Sequence, residues 1–132
     1  VKPYLLVVDD EPFVRKLMVM CLTSEFYCLE AASGGETLDK LYKLKTQGYL
    51  KHVAGVLLDV KMPDYDGFDV LTMLKQSYPL LPVVMCTAMS TVEGVTKAVD
   101  RGAAGYVVKP FTRSSLREKV SKALGDYSVS IV

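Results

Sequence analysis

Four short apolar runs set the pattern of the chain, and each stops abruptly at a polar residue. Tyr4–Val8 ends in Asp9-Asp10, Val56-Leu57-Leu58 ends in Asp59, residues 82–86 end in Thr87, and Gly105–Val108 ends in Lys109. Runs of Val and Leu without polar alternation predict strands buried on both faces, the signature of a parallel sheet. Tyr27-Cys28-Leu29, closing at Glu30, predicts a weaker strand nearer an edge, and the third strand covers Val53–Leu58. Between the runs the period changes to that of a helix. Pro12 opens the first helix, where its missing N–H costs nothing, and Val14, Leu17, Met18, Cys21 and Leu22 form a stripe at helical spacing. Ser33 or Gly34 caps a second helix running to Thr46. Asp66 caps a third carrying Val70, Leu71 and Leu74. A fourth carries Val92, Val95 and Val99 and ends at Gly102. The last carries Leu116, Val120, Ala123 and Leu124 and ends at Gly125.

Five strands alternating with five helices predict an α/β domain with a doubly wound sheet and helices on both faces. Of the common strand orders, the flavodoxin-like 2-1-3-4-5 puts strands one and three side by side and so brings Asp9 and Asp10 next to Asp59. The 132 residues fit one domain over residues 1–125, with 126–132 as a short tail or the start of a linker. A net charge of +1 without a basic or acidic block points away from direct nucleic-acid or membrane binding. No apolar stretch reaches the length of a membrane span. Cys21, Cys28 and Cys86 lack paired spacing and read as reduced core residues, in keeping with a cytoplasmic protein.

In a parallel sheet the residues that follow the strands gather along one edge, which is where open α/β sheets bind their ligands. That edge collects Asp9, Asp10, Asp59, Thr87 and Lys109. Three converging carboxylates repel one another unless a cation sits among them. All-oxygen ligands suit a hard ion, and few carboxylates plus water suit Mg²⁺. The single histidine, His52, precedes the third strand and so stands at the opposite end. A carboxylate, an ammonium, a hydroxyl and a metal are what phosphoryl transfer requires. Taken singly each residue has an ordinary reading. Asp64 and Asp66 start turns, Ser90 caps the fourth helix, Lys109 is a surface lysine and Tyr106 packs in the core. Their joint occurrence at the ends of four strands favours a site.

The ordered set Asp9-Asp10-Glu11, Asp59 with Met62-Pro63 and Asp66-Gly67, Thr87-Ala88, Tyr106 and Lys109-Pro110-Phe111 resembles the CheY-like receiver domain of two-component response regulators, over about residues 3–125. The resemblance implies that Asp59 is the phosphoacceptor, taking its phosphoryl group from a sensor histidine kinase or a histidine phosphotransfer protein. Asp10, Asp59 and the backbone carbonyl of Lys61 would bind Mg²⁺ directly, and Asp9 through water. Lys109 and Thr87 would hold the phosphoryl oxygens. Thr87 and Tyr106 would form the switch that reaches an output domain or target at the fourth helix, fifth strand and last helix. A cis bond before Pro110 is expected. Such a protein is a phosphoacceptor switch, acting only on its own phosphorylation and dephosphorylation. Phe13, Val19 and Met20 lie off the first helical stripe and would belong to the kinase-docking surface.

Three features depart from the common pattern. Residues 30–59 are several residues longer than usual, with 45–51 the extra length. Ala104-Gly105 stand where acidic residues are common, and Lys61 places a cation beside Asp59, where it is expected to tune the lifetime of the acyl phosphate. Two rival classes fit less well. A haloacid-dehalogenase-type phosphatase needs an Asp-x-Asp spacing that is missing, and a flavodoxin-type cofactor binder would find its phosphate repelled by the acidic first loop.

Overall fold

A computed structural model of the chain describes residues 2–125; the tail expected over 126–132 lies outside the described residues. Five strands, β1 (Tyr4–Val8), β2 (Tyr27–Ala31), β3 (Val53–Leu58), β4 (Val83–Thr87) and β5 (Gly105–Val108), alternate with five helices, α1 (Pro12–Leu22), α2 (Gly34–Thr46), α3 (Gly67–Ser77), α4 (Val92–Asp100) and α5 (Arg113–Leu124). The strands are all parallel in the order β2-β1-β3-β4-β5, the order expected from the sequence.

Successive strand residues point to opposite faces, so each run feeds two cores. Leu5, Val7, Leu57, Val84 and Val107 face α1 and α5, where Met18, Leu22, Leu116 and Val120 close over them. Leu6, Val8, Val56, Leu58 and Met85 face α2, α3 and α4, where Leu41, Phe68, Leu71 and Leu74 complete the second core. All six residues of β3 are buried, which is why that run shows no polar alternation. Each fully buried Leu or Val side chain contributes roughly 2 kcal/mol.

The edges of elements differ from the sequence reading in small but physical ways. β2 extends to Ala31, whose carbonyl accepts from Asp9 N–H at 3.1 Å. Thr87 lies within β4 rather than after it, paired with Val108, and its carbonyl accepts from Lys109 N–H at 2.8 Å. The connector over 47–51 contains Gly48 at φ 81° and leads into a single 3-10 turn, Leu50–His52. Ser33 caps α2 and Asp66 caps α3, as expected, but α4 is capped by Thr91 and not Ser90.

α4 turns two of its three valines outward. Val92 is 79% exposed and Val99 61% exposed, whereas Gly94 and Ala98 form the buried side. A Cβ on Gly94 would stand 2.6 Å from the Met89 sulfur, so a larger residue there would require the Met89 side chain to move aside. On a nine-residue helix a valine spacing alone does not say which side faces inward.

Candidate functional site

β1 and β3 are neighbours in register, Val8 opposite Leu58, so the residues after them emerge side by side. Asp9 and Asp59 are held in matching ways. Asp9 is 0% exposed; one carboxylate oxygen accepts from Glu11 N–H at 2.9 Å and the other from Lys109 Nζ at 2.5 Å. Asp59 accepts from Val60 N–H at 2.7 Å and from Lys109 Nζ at 2.8 Å. Lys109 therefore bridges two buried carboxylates whose charges would otherwise stand unopposed, and the charge-assisted bonds offset the cost of removing them from water. Burial alone would lower the Lys109 pKa, but the hydrogen bonds and charges of Asp59 and Asp9 outweigh it and hold the ammonium above the ordinary lysine value. Lys109 follows β5 and precedes Pro110, and the peptide bond between them is cis, as expected.

Asp10 is exposed and has no hydrogen-bond partner among the described residues. Its carboxylate lies with those of Asp9 and Asp59 such that one oxygen from each falls within 4.8 Å of the others. Three oxygens this close, with neither His nor Cys among them, form a donor set suited to a hard divalent cation. The site opens into a cavity of about 700 Å³ that Asp10, Asp59, Lys61, Thr87, Met89 and Lys109 help to line. Lys61 is exposed at its rim. Thr87 is buried at the end of β4, its hydroxyl accepting from Met89 N–H at 3.3 Å. Tyr106 donates its hydroxyl proton to the Met89 carbonyl at 2.7 Å. Burial, then the Asp59 charge, raises the Tyr106 pKa and keeps the phenol protonated. The backbone of Met89 thus joins Thr87 to Tyr106, a link the side-chain pattern does not encode.

The loop after β3 is pinned at several points. Gly67 N–H donates to Val60 O at 2.7 Å, and a Cβ at Gly67 would fall 2.1 Å from Asp59 O. Asp64, read from the sequence as a turn starter, accepts from Gly34 N–H at 3.0 Å and Gly35 N–H at 2.8 Å, tying the loop to the first turn of α2. Those backbone bonds, Gly35 first, hold its carboxyl below the usual range. Arg15 donates to Asp9 O at 2.7 Å and to Glu30 Oε1 at 2.9 Å. Neither Arg15 nor Glu30 stands out in the sequence as a site residue, and the place of Glu30 near the end of the second strand is the only hint. Burial pushes the Cys86 thiol up to about 12, so this neighbour of the cluster stays a neutral core residue. His52 lies at the far end of the sheet, its ring 6.4 Å from that of Tyr49 and remote from the acids.

Comparison with known proteins agrees with this geometry. The family described as response regulator receiver domain matches residues 5–121. The chain is 32% identical over 119 residues to the chemotaxis protein CheY of Halobacterium salinarum, covering 90% of this chain and 94% of that protein. It is 34% identical over 122 residues to the DNA-binding transcriptional regulator NtrC of Klebsiella pneumoniae, covering 92% of this chain but only 24% of that protein. Among solved structures, the CheX–CheY–BeF₃–Mg²⁺ complex from Borrelia burgdorferi contains a chain that superposes with a TM-score of 0.84 at 26% identity, covering 93% of this chain and 90% of that one. An acidic edge, a 2-1-3-4-5 sheet and likeness along almost the whole length converge, and the chain belongs to the response regulator receiver-domain family, whose work is phosphorelay signalling in two-component systems.

Proposed function

We propose that Asp59 accepts a phosphoryl group from a phosphohistidine of a sensor histidine kinase or histidine phosphotransfer protein, and that the acyl phosphate drives a conformational switch. The observation that carries this reading is the Lys109 ammonium bonded at once to Asp9 and Asp59, at 2.5 and 2.8 Å. A carboxylate oxygen of Asp59 attacks phosphorus in line, the P–N bond to the donor imidazole breaks, and the imidazole leaves with the bonding pair. Asp10, Asp59 and the Lys61 carbonyl would hold Mg²⁺ directly, with Asp9 acting through water. When bound, the ion neutralises charge on the phosphoryl oxygens. Lys109 exchanges an Asp59 oxygen for a phosphoryl oxygen, which conserves its charge pairing. Thr87 gives up its contact with Met89 N–H to donate its hydroxyl proton to the same group. Because Tyr106 bonds the carbonyl of that same Met89, a move of Thr87 is felt at the ring, and phosphorylation biases a two-state element.

The exposed Phe13 and Met20 on α1 suit the docking of the phosphodonor, whereas Val19, expected with them, is half-buried against the core, and the exposed Val92 and Val99 suit an output partner on the α4-β5-α5 face. Residues 1–125 serve as the receiver, with 126–132 as a C-terminal tail or the start of a linker. The protein works in the cytoplasm as a switch that acts on itself rather than as a turnover enzyme. The test is incubation with acetyl phosphate and Mg²⁺ followed by intact-mass measurement. The parent gains one phosphate and Asp59→Asn gains none; a gain that survives the substitution removes Asp59 from the role.

A further inference from the structure

We propose that Arg15, braced by Glu30, is a positioning residue that aims the Asp10 carboxylate at the metal; the inference rests on the reading of Asp9-Asp10 as a Mg²⁺-binding turn. Every polar group of Asp9 is engaged. Its N–H donates to Ala31 O, its carboxylate oxygens accept from Glu11 N–H and Lys109, and its carbonyl accepts from Arg15 Nη1 at 2.7 Å. The carbonyl bond matters for the next residue. The Asp9 C=O and the Asp10 N–H share one rigid peptide plane, so holding that oxygen fixes the direction in which Asp10 leaves. Asp10 is the one acid of the three without a hydrogen-bond partner of its own among the described residues, so its aim comes from the backbone behind it.

The guanidinium is held as firmly as it holds. Its side chain is 15% exposed, Nε donates to Glu30 Oε1 at 2.9 Å, and Glu30 Oε2 accepts from Lys16 at 2.7 Å. Lys40 donates to the Glu30 backbone carbonyl, fixing that residue from the α2 side. The planar fork of arginine reaches two acceptors in two directions; a lysine ammonium on a flexible stem does not reproduce that geometry. Glu30 has a second effect. Its carboxylate, shared between Arg15 and Lys16, offsets part of their charge, and cations left unopposed behind the turn would repel the dication that the turn receives.

Calorimetric titration of Mg²⁺ into the folded variants tests the assignment. Arg15→Ala and Arg15→Lys weaken Mg²⁺ binding by roughly tenfold, the usual cost of removing a group that orients a ligand. Glu30→Gln, which keeps an acceptor in place but loses the charge, weakens it by a smaller factor. At limiting Mg²⁺ phosphate uptake on Asp59 slows in the Arg15 variants, and raising Mg²⁺ recovers it, as a weakened metal site requires. Arg117→Ala is the control: it breaks the Arg117–Glu25 pair at 2.9 Å, away from the acidic turn, and leaves Mg²⁺ affinity unchanged. Should Arg15→Ala fail to fold, Arg15→Lys carries the comparison. Affinity within about twofold of the parent in the Arg15 variants overturns the inference, and so does an equal loss in Arg117→Ala. A parent that binds no Mg²⁺ overturns the metal reading as well, whereas a parent that binds with Arg15 variants unchanged sinks this inference alone.

Discussion

At the carboxyl end of the sheet a cavity of about 700 Å³ is walled by Asp10, Asp59, Thr87 and Lys109; at the amino end one of about 600 Å³ is walled by Leu50, Val53, Tyr78, Leu80, Leu81 and Pro82. Size does not separate the two. The treatment of charge does. At the carboxyl end carboxylates are taken out of water and paired with Lys109, which is costly unless the partners are well placed. At the amino end Lys45 and Lys51 stay exposed, Lys45 lying over the Tyr78 ring at 5.9 Å. One set of strands thus gives one end where buried charge is assembled and one where it is avoided. Parallel strands make that separation possible, because every strand delivers its last residue to the same edge.

The comparison is broken most directly by removing the cation from each end. Lys109→Met leaves Asp9 and Asp59 without their shared partner and costs roughly 3 kcal/mol in Mg²⁺-free urea unfolding, part of which Mg²⁺ restores. Lys51→Met, at the exposed end, costs under about 0.5 kcal/mol. Equal losses would mean that the carboxyl end is no more strained by its charges than the surface.

A second contrast uses glycines. Gly67 has no room for a Cβ, which would press on the Asp59 backbone at 2.1 Å, whereas Gly48 has open space but sits at φ 81°. Gly67→Ala is expected to cost about 3 kcal/mol and to disturb phosphate uptake. Gly48→Ala costs about 1 kcal/mol, for the left-handed backbone alone, and leaves phosphate uptake intact. Thermal unfolding together with the acetyl phosphate assay reads both.

Alkaline titration sharpens the same point. The folded protein holds the Lys109 proton more tightly than the unfolded chain does. The stabilisation is therefore complete below the ordinary lysine value near pH ~10.4, and it fades as pH rises through the higher folded value. In Lys109→Met that part of the alkaline loss is absent. If parent and variant fall in parallel, the pairing of Lys109 with Asp9 and Asp59 is not its source.

The smallest effect belongs to the rim. Lys61 is exposed beside Asp59, where its ammonium is expected to crowd the path of water to the acyl phosphate. Lys61→Ala should lose phosphate only a few-fold faster, as befits a solvent-screened charge. Loss at the parental rate would exclude Lys61 from any part in the lifetime.

Much of this is legible in the amino-acid sequence alone. The abrupt stops at Asp9, Asp59, Thr87 and Lys109 gave the strands, their parallel sense and the edge where chemistry collects. Ser33 and Asp66 marked helix starts by a local rule, a short side chain accepting from a backbone N–H two or three residues on. Asp64 obeyed no such rule, because its carboxylate reaches across 30 positions to α2. The same holds for Arg15 and Glu30, fifteen apart in the chain and joined only when β2 lies beside β1.

Sequence by itself determined what depends on near neighbours: the period of each segment, locally capped helix starts such as Ser33 and Asp66, and the sheet edge to which the ionisable groups belong. Tertiary structure alone decided that Asp9 is sealed while the adjacent Asp10 stays open, and that α4 buries Gly94 and Ala98 and leaves Val92 and Val99 outside. Local periodicity is a property of the backbone, but burial and pairing are properties of whatever packs opposite, and that is supplied by parts of the chain far away in sequence.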